Sequence, residues 1–234
     1  MTQMDHELRR RLLLSCPLFA ALPVEVLDDI LVKATERLVR RGQLVFQKGD
    51  EGSYMVAVLS GRVRISATSS EGREITLNMI DAGEVFGEIA LLDGKPRSAD
   101  ATAIEDSTLI MVERRHFLPY LASNNDLALR VIDVLCERLR ATSETLGNFA
   151  MLDLPGRLAR RLVTLASEYG KSSNGPVLID IRLSDTDLAR FVGCTRETVN
   201  KQMRAWEDAG IVDRAGGRIT LCKPSALRRI AGRD

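Results

Sequence analysis

The spacing of apolar positions changes twice along this chain, and each change predicts a different architecture. Between about residues 38 and 112, the short segments LVFQ, MVAVLSGRVRISA, REITLNMI and STLIMVE are separated by Gly49-Asp50, Gly61, Gly72 and Gly83. Short alternating segments divided by turn residues predict an antiparallel barrel or sandwich, a compact β-roll. From about residue 126 to 150 the period lengthens: Ala128, Ile132, Leu135, Leu139, Thr142, Leu146 and Phe149 recur at steps of four and three, with no proline between them. That spacing predicts one long helix with a seam of about three heptads, as in a parallel coiled-coil homodimer; the alternative is a helix packed on its own domain. Asp153-Leu154-Pro155 ends the run. Asp153 is placed to N-cap the next helix with Pro155 in its first turn, which makes it the expected hinge.

Beyond the hinge come a helix GRLARRLVTLASEYG, a loop KSSNGP, a short strand VLIDI, and then LSDTDLARFVGCTRETVNKQMRAWEDAGIVDRAGGRITL. Ser184 can N-cap a helix with Asp187 completing a capping box, Gly193 permits a sharp turn, and Thr195 can cap a second helix. In the second helix Val199, Met203 and Trp206 recur at i, i+4 and i+7 and predict a core face. Arg196, Glu197, Asn200, Lys201 and Arg204 are left facing outward, with Thr195 at the helix start. Such side chains read base edges, arginine forking onto guanine and glutamate accepting from the cytosine amino group. Ala215-Gly216-Gly217 predicts a hairpin, so the element reads as a winged helix-turn-helix; the alternative is a small helical interaction domain with a charged face.

Charge agrees with a polyanion partner for that region. The chain is nearly neutral at +1, but residues 154–234 carry 15 Lys and Arg against 9 Asp and Glu, whereas residues 1–153 carry 18 against 23. A basic domain joined to an acidic one fits a protein of which one part meets nucleic acid. Composition narrows the classes further. At 45% hydrophobic and 28% charged, the 234 residues are expected to be ordered and globular. No apolar run approaches the roughly 18 to 20 residues needed to span a bilayer. The start, MTQMDHELRRRLLLSCPLFA, has too short an apolar core for a signal peptide, so no membrane partner and a cytoplasmic location are expected. Cys16, Cys136, Cys194 and Cys222 are scattered and only His6 and His116 supply imidazoles, so free thiols and no metal site are expected. No Ser-His-Asp, paired-carboxylate or phosphate-loop arrangement is present, and the chain is not expected to be an enzyme.

Three stretches carry a family resemblance: RETV at 196–199, RLRATSETLGNFAMLD at 138–153, and FGEIALLDGKPRSA at 86–99. On these the chain resembles the Crp-Fnr transcription regulators along nearly its whole length from about residue 17, and the last stretch is also similar to the cyclic-nucleotide cassette of protein kinase regulatory subunits and channels. The resemblance implies an α+β chain. Residues 1–124 would form N-terminal helices and a jelly-roll-like, cyclic-nucleotide-binding β-roll, residues 125–153 the dimerisation helix and hinge, and residues 154–234 the winged helix-turn-helix. It implies cyclic AMP as allosteric ligand, double-stranded, near-palindromic DNA, a homodimer, and RNA polymerase as a further partner, for which the exposed EYGKSSNGP loop is the candidate surface.

The cassette chemistry can also be argued residue by residue. A cyclic nucleotide presents a phosphate charge, a ribose hydroxyl and a base. Arg97 can pair with the phosphate, Gly87 lets the backbone come close, and amides after it, at Ile89 and Ala90, can donate to phosphate oxygens. Ionised Glu88 only accepts and suits the 2′-hydroxyl, while Ser98 can donate to the phosphate or reach the base. Taken singly these residues would be a turn glycine, a surface carboxylate and a loop cation; together, beside Pro96, they form a ligand set. Thr142 is the one polar residue of the helical seam, either a register device or, as the resemblance implies, an adenine contact together with Ser143 from both subunits of the dimer. Ser98 could also accept from the guanine amino group, which leaves cyclic GMP open as a ligand. Lys201 stands where the best-known cyclic-AMP activators of the family have arginine and lacks the bidentate fork, which leaves the outer half-site open. Cluster or haem sensing, known in the family, lacks thiolates and histidines here. A cyclic-nucleotide regulatory subunit acting on a partner protein is the remaining alternative.

Overall fold

The computed structural model describes residues 3–20, 22–172 and 175–232; Ser173 and Asn174, inside the EYGKSSNGP segment, lie outside them. The chain divides into two units, Met1–Ser69 with Thr76–Arg140, and Ser70–Ile75 with Ala141–Asp234. The division falls within the long helix.

In the first unit, α1 (Gln3–Leu14), α2 (Pro17–Ala20) and α3 (Val24–Lys33) precede β1 (Thr35–Val39), β2 (Leu44–Phe46), β3 (Tyr54–Ser60), β4 (Arg62–Thr68), β5 (Glu74–Asp81) and β6 (Val85–Phe86). Then follow α4 (Glu88–Asp93), β7 (Asp100–Ala103), β8 (Ser107–Glu113), α5 (Arg114–Ser123) and α6 (Asn125–Met151). The strands make two four-stranded sheets, β1-β8-β3-β6 and β2-β7-β4-β5. Val56, Val58, Val63, Ile80, Phe86 and Leu109 fill the roll. Met55, Ala57 and Leu59 of β3 belong instead to a second core with Phe19, Leu27, Ile30 and Phe117 from the helices. β3 is therefore buried on both faces, which is why MVAVL runs apolar without alternation.

The long helix α6 carries two apolar faces. Leu127 and Val131 are buried in the helix-side core and Leu135 packs against it. Ile132 is 53% exposed, Leu139 67%, and Leu129 and Leu146 are exposed as well. Of the other seam positions, Ala128 and Phe149 are half-buried, and Thr142 and Ser143 are exposed.

The second unit continues with α7 (Leu154–Tyr169), β9 (Gly170–Ser172), β10 (Val177–Ile179), α8 (Asp185–Val192), α9 (Arg196–Asp208), β11 (Val212–Ala215), β12 (Arg218–Leu221) and α10 (Pro224–Ile230). Its sheet order is β11-β12-β10-β9. Local signals set the helix ends. Asp153 Oδ1 accepts from the Gly156 amide at 2.9 Å, Ser184 and Asp187 form a reciprocal capping box, and Thr195 Oγ1 accepts from the Thr198 amide at 3.3 Å. Gly193 ends α8 at φ +66°, a conformation that costs an L side chain energy, and turns the chain into α9. Val199, Met203 and Trp206 are buried with Leu158, Leu162 and Leu188, each large side chain contributing roughly 1.5–3 kcal/mol. One difference from the sequence pattern is β9, which occupies the start of the expected loop and pairs Lys171 with Leu178. All three of its residues are exposed, so no apolar alternation marks it. Among the described residues no helix is long and apolar enough to cross a membrane, and no group of His, Cys, Asp and Glu is placed to hold a metal ion.

Candidate functional site

Six of the residues assigned to the cassette come together in the first unit. Gly87, Glu88, Ile89, Ala90, Arg97 and Ser98 line one cleft, joined by Phe46, Ile65, Phe86, Ala99 and Arg138. Gly87 precedes α4 at φ +76°, and a Cβ there would lie 2.6 Å from Arg97 Nη1. Only glycine admits the guanidinium at that distance. Arg97 Nη1 donates to the Gly87 carbonyl at 2.9 Å, and the guanidinium lies 4.1 Å from the Phe46 ring centre and 4.3 Å from that of Tyr54. Such stacking contributes about 0.5–2 kcal/mol. Arg97 is nevertheless 2% exposed, and its Nε and Nη2 have no hydrogen-bond partner among the described residues. Burial lowers its pKa from the ordinary guanidinium value, with Tyr54, Asp50 and Glu88 opposing.

Glu88, 4% exposed, lines the same cleft. Arg138 Nη1 of α6 forms an ion pair with its Oε1 at 2.5 Å, while Glu88 Oε2 has no hydrogen-bond partner among the described residues. Arg138 also donates to the Val85 carbonyl. The cleft thus combines unpaired donors on Arg97, the Glu88 carboxylate with one oxygen ion-paired to Arg138 and the other open, and the first amides of α4, which have no acceptor within a helix. Each buried unpaired group costs about 1–3 kcal/mol. A ligand with an anionic group and a neighbouring hydroxyl would satisfy both residues. Thr142 and Ser143, on exposed positions of α6, are not in this group.

In the second unit, Arg196, Glu197, Asn200, Lys201 and Arg204 line one surface of α9 with Ala205 and Asp208. Thr195 stands at its start and exchanges a hydroxyl hydrogen bond of 2.9 Å with Thr198. Asn200 Nδ2 is engaged, donating to Asp185 Oδ2 at 2.6 Å. A helix carrying these groups after a tight turn, followed by the β11–β12 hairpin, has the form of a winged helix-turn-helix.

Comparison with known proteins agrees with both units. Residues 36–124 match the model of the cyclic nucleotide-binding domain, and residues 156–230 that of the Crp-like helix-turn-helix domain. The cyclic AMP receptor protein of Thermus thermophilus is 32% identical over 215 residues, covering 92% of this chain and 96% of that protein. The chain belongs to the Crp-Fnr family of transcription regulators. The CRP-like cAMP-activated global transcriptional regulator of Mycobacterium tuberculosis is 30% identical over 191 residues, 82% of this chain and 85% of that one. Among solved structures, the c-di-GMP-responsive global regulator CLP of Xanthomonas campestris superposes with a TM-score of 0.74 at 25% identity, over 85% of this chain and 99% of that one. This Crp-Fnr protein is accordingly a DNA-binding transcription regulator with a cyclic nucleotide-binding domain, and its relatives are regulators rather than enzymes. Three residues around Arg97 and Glu88 were missed in the sequence. Phe46 and Tyr54 come from strands distant in sequence from Arg97, and no local pattern marks them. Arg138 was legible in principle, as a cation one helical turn before Thr142.

Proposed function

We propose that the protein is a cyclic-AMP-dependent regulator that acts in the cytoplasm as a homodimer on near-palindromic double-stranded DNA. The observation that carries this reading is Arg97, buried with donors unpaired in one cleft with the Glu88 carboxylate, of which Arg138 engages one oxygen. Arg97 and the amides at Ile89 and Ala90 take the cyclic phosphate, Glu88 the ribose hydroxyl, and Ser98 the phosphate or the base. The exposed Ile132, Leu139 and Leu146 support a homodimer along α6. In that dimer, Thr142 and Ser143 from the two copies of the helix meet the adenine, so ligand and helix pairing reinforce each other. The signal runs on to Asp153 and sets two copies of α9 about 34 Å apart, on successive major grooves. Thr195, Arg196, Glu197, Asn200, Lys201 and Arg204 then meet the DNA, and the EYGKSSNGP segment meets RNA polymerase.

Cyclic GMP competes through Ser98, whose hydroxyl can accept from the guanine amino group. Titration calorimetry of the full chain with each nucleotide, paired with gel shifts on DNA, separates the readings. The expected result is tighter binding of cyclic AMP and a DNA shift that depends on it. No heat with either nucleotide at high micromolar concentration would remove the sensor reading.

A further inference from the structure

Arg214 on β11 lies outside the set of base-facing residues, yet it joins three structural elements. Its Nε and Nη2 donate to Glu207 Oε1 and Oε2, each at 2.7 Å, in a two-pronged contact with the last turn of α9. Its Nη1 donates to Asp185 Oδ1, at the start of α8, also at 2.7 Å. The second oxygen of Asp185 takes the Asn200 amide nitrogen at 2.6 Å. Wing, first helix and recognition helix are thus linked through one guanidinium, whose planar fork a lysine could not reproduce. Arg214 holds the Glu207 carboxyl below the ordinary carboxylate range.

Two consequences follow for DNA. α9 is held at Asn200 and at Glu207, two turns apart, so its pitch in a groove is set by side chains and not by the α8–α9 turn alone. Moreover, an ionised carboxylate only accepts hydrogen bonds, so Asn200 must turn its nitrogen toward Asp185, leaving its oxygen as the end not engaged by the cluster. That acceptor, on a residue lining the α9 surface, matches the major-groove amino group of adenine or cytosine, and opposes guanine O6 and thymine O4.

We propose that Arg214 is a positioning residue for base recognition: through Asp185 it fixes the Asn200 amide, so that Asn200 selects adenine or cytosine, while Arg214 itself touches no phosphate. This rests on α9 being the base-reading helix. The test binds the full chain, with saturating cyclic AMP, to a double-stranded library randomised across both half-sites. Arg214→Gln, Arg214→Lys, Asp185→Asn, Asn200→Ala and Arg196→Ala are run beside it, and the salt dependence of Kd is measured on the selected site. Arg214→Gln and Asp185→Asn should each lower the preference at one base pair by about fivefold or more, at the same base pair that Asn200→Ala flattens. Their salt slopes should match the unmodified chain, and Arg214→Lys should recover part of the preference. A slope lowered by about one, with equal weakening on every sequence, would make Arg214 a phosphate contact and overturn the proposal. Unchanged selection by Asp185→Asn or Asn200→Ala overturns it equally, and those two substitutions, which leave the Arg214–Glu207 contact in place, decide the matter if Arg214→Gln fails to fold. Arg196→Ala separates the layers: loss of a guanine preference there, with none in the cluster variants, leaves the base-reading helix standing and removes only the role of Arg214. No change of preference in any variant, Arg196→Ala included, removes both.

Discussion

Arg97 packs against two aromatic rings with Nε and Nη2 unpaired among the described residues, an arrangement that favours an arriving anion over the stability of the free chain. Arg97→Met retains the packing against Phe46 and Tyr54 but removes the charge. It should weaken cyclic nucleotide binding by about 100-fold or more, since hydrogen bonds to charged groups contribute about 1.5–3 kcal/mol each. The unfolding free energy without ligand should stay within about 1 kcal/mol of the unmodified chain, because the lost stacking and the relieved burial offset each other. Calorimetry and denaturant unfolding read the two quantities, and a stability loss above about 2 kcal/mol would instead assign Arg97 a bracing role. Glu88 and Arg97 were legible in the sequence because both lie in one contiguous stretch whose residue types match an anion and a hydroxyl. Phe46 and Tyr54 were not, since other elements deliver them, and Arg138 was legible only in principle, as a cation one helical turn before Thr142.

At the scale of elements, α6 shows how far periodicity reaches. A four-three repeat predicts a helix, and the helix is there, but the repeat cannot say which apolar positions its own domain consumes. Leu135 packs on the core of the first unit, whereas Leu139 and Leu146 remain exposed. Leu139→Glu should therefore convert the proposed dimer to monomer in sedimentation at micromolar concentration, with unchanged helicity by circular dichroism. A dimer as tight as that of the unmodified chain would move the interface elsewhere. The α8–α9 pair was legible almost to the residue, because its caps, glycine turn and core triad act within a few positions of one another. β1, β6 and β7 were not, because each is short and owes its existence to a partner far away in sequence, as Asp100 owes its place to Ser66; β9 pairs with the nearby β10, but its three exposed residues carry no apolar alternation.

For the whole molecule, the two units present different chemistry, a buried Arg97 and Glu88 in one cleft of the first and a polar, charged surface of α9 in the second. Coupling between them is a free energy shared by both ligands, so the effect must be reciprocal. Cyclic AMP should raise DNA affinity by about 5- to 150-fold, and saturating DNA should tighten cyclic AMP binding by the same factor. Gel shifts or anisotropy give the first factor and calorimetry the second. Equal DNA affinity with and without nucleotide would sink the coupling.

By itself the sequence determined what depends on neighbours along the chain: the helix ends at Asp153, Ser184 and Thr195, the apolar periods, the basic C-terminal third, and the contiguous Gly87-to-Ser98 cassette. Capping, turn formation and periodicity act over a few residues, so a single sequence carries them. Only the tertiary structure decided which aromatic rings pack against Arg97, that Arg138 faces Glu88, which apolar positions of α6 stay open, and that Arg214 holds Asp185 and Glu207 together. Those depend on strand register and helix packing between residues far apart, where many pairings satisfy the same pattern and burial selects one.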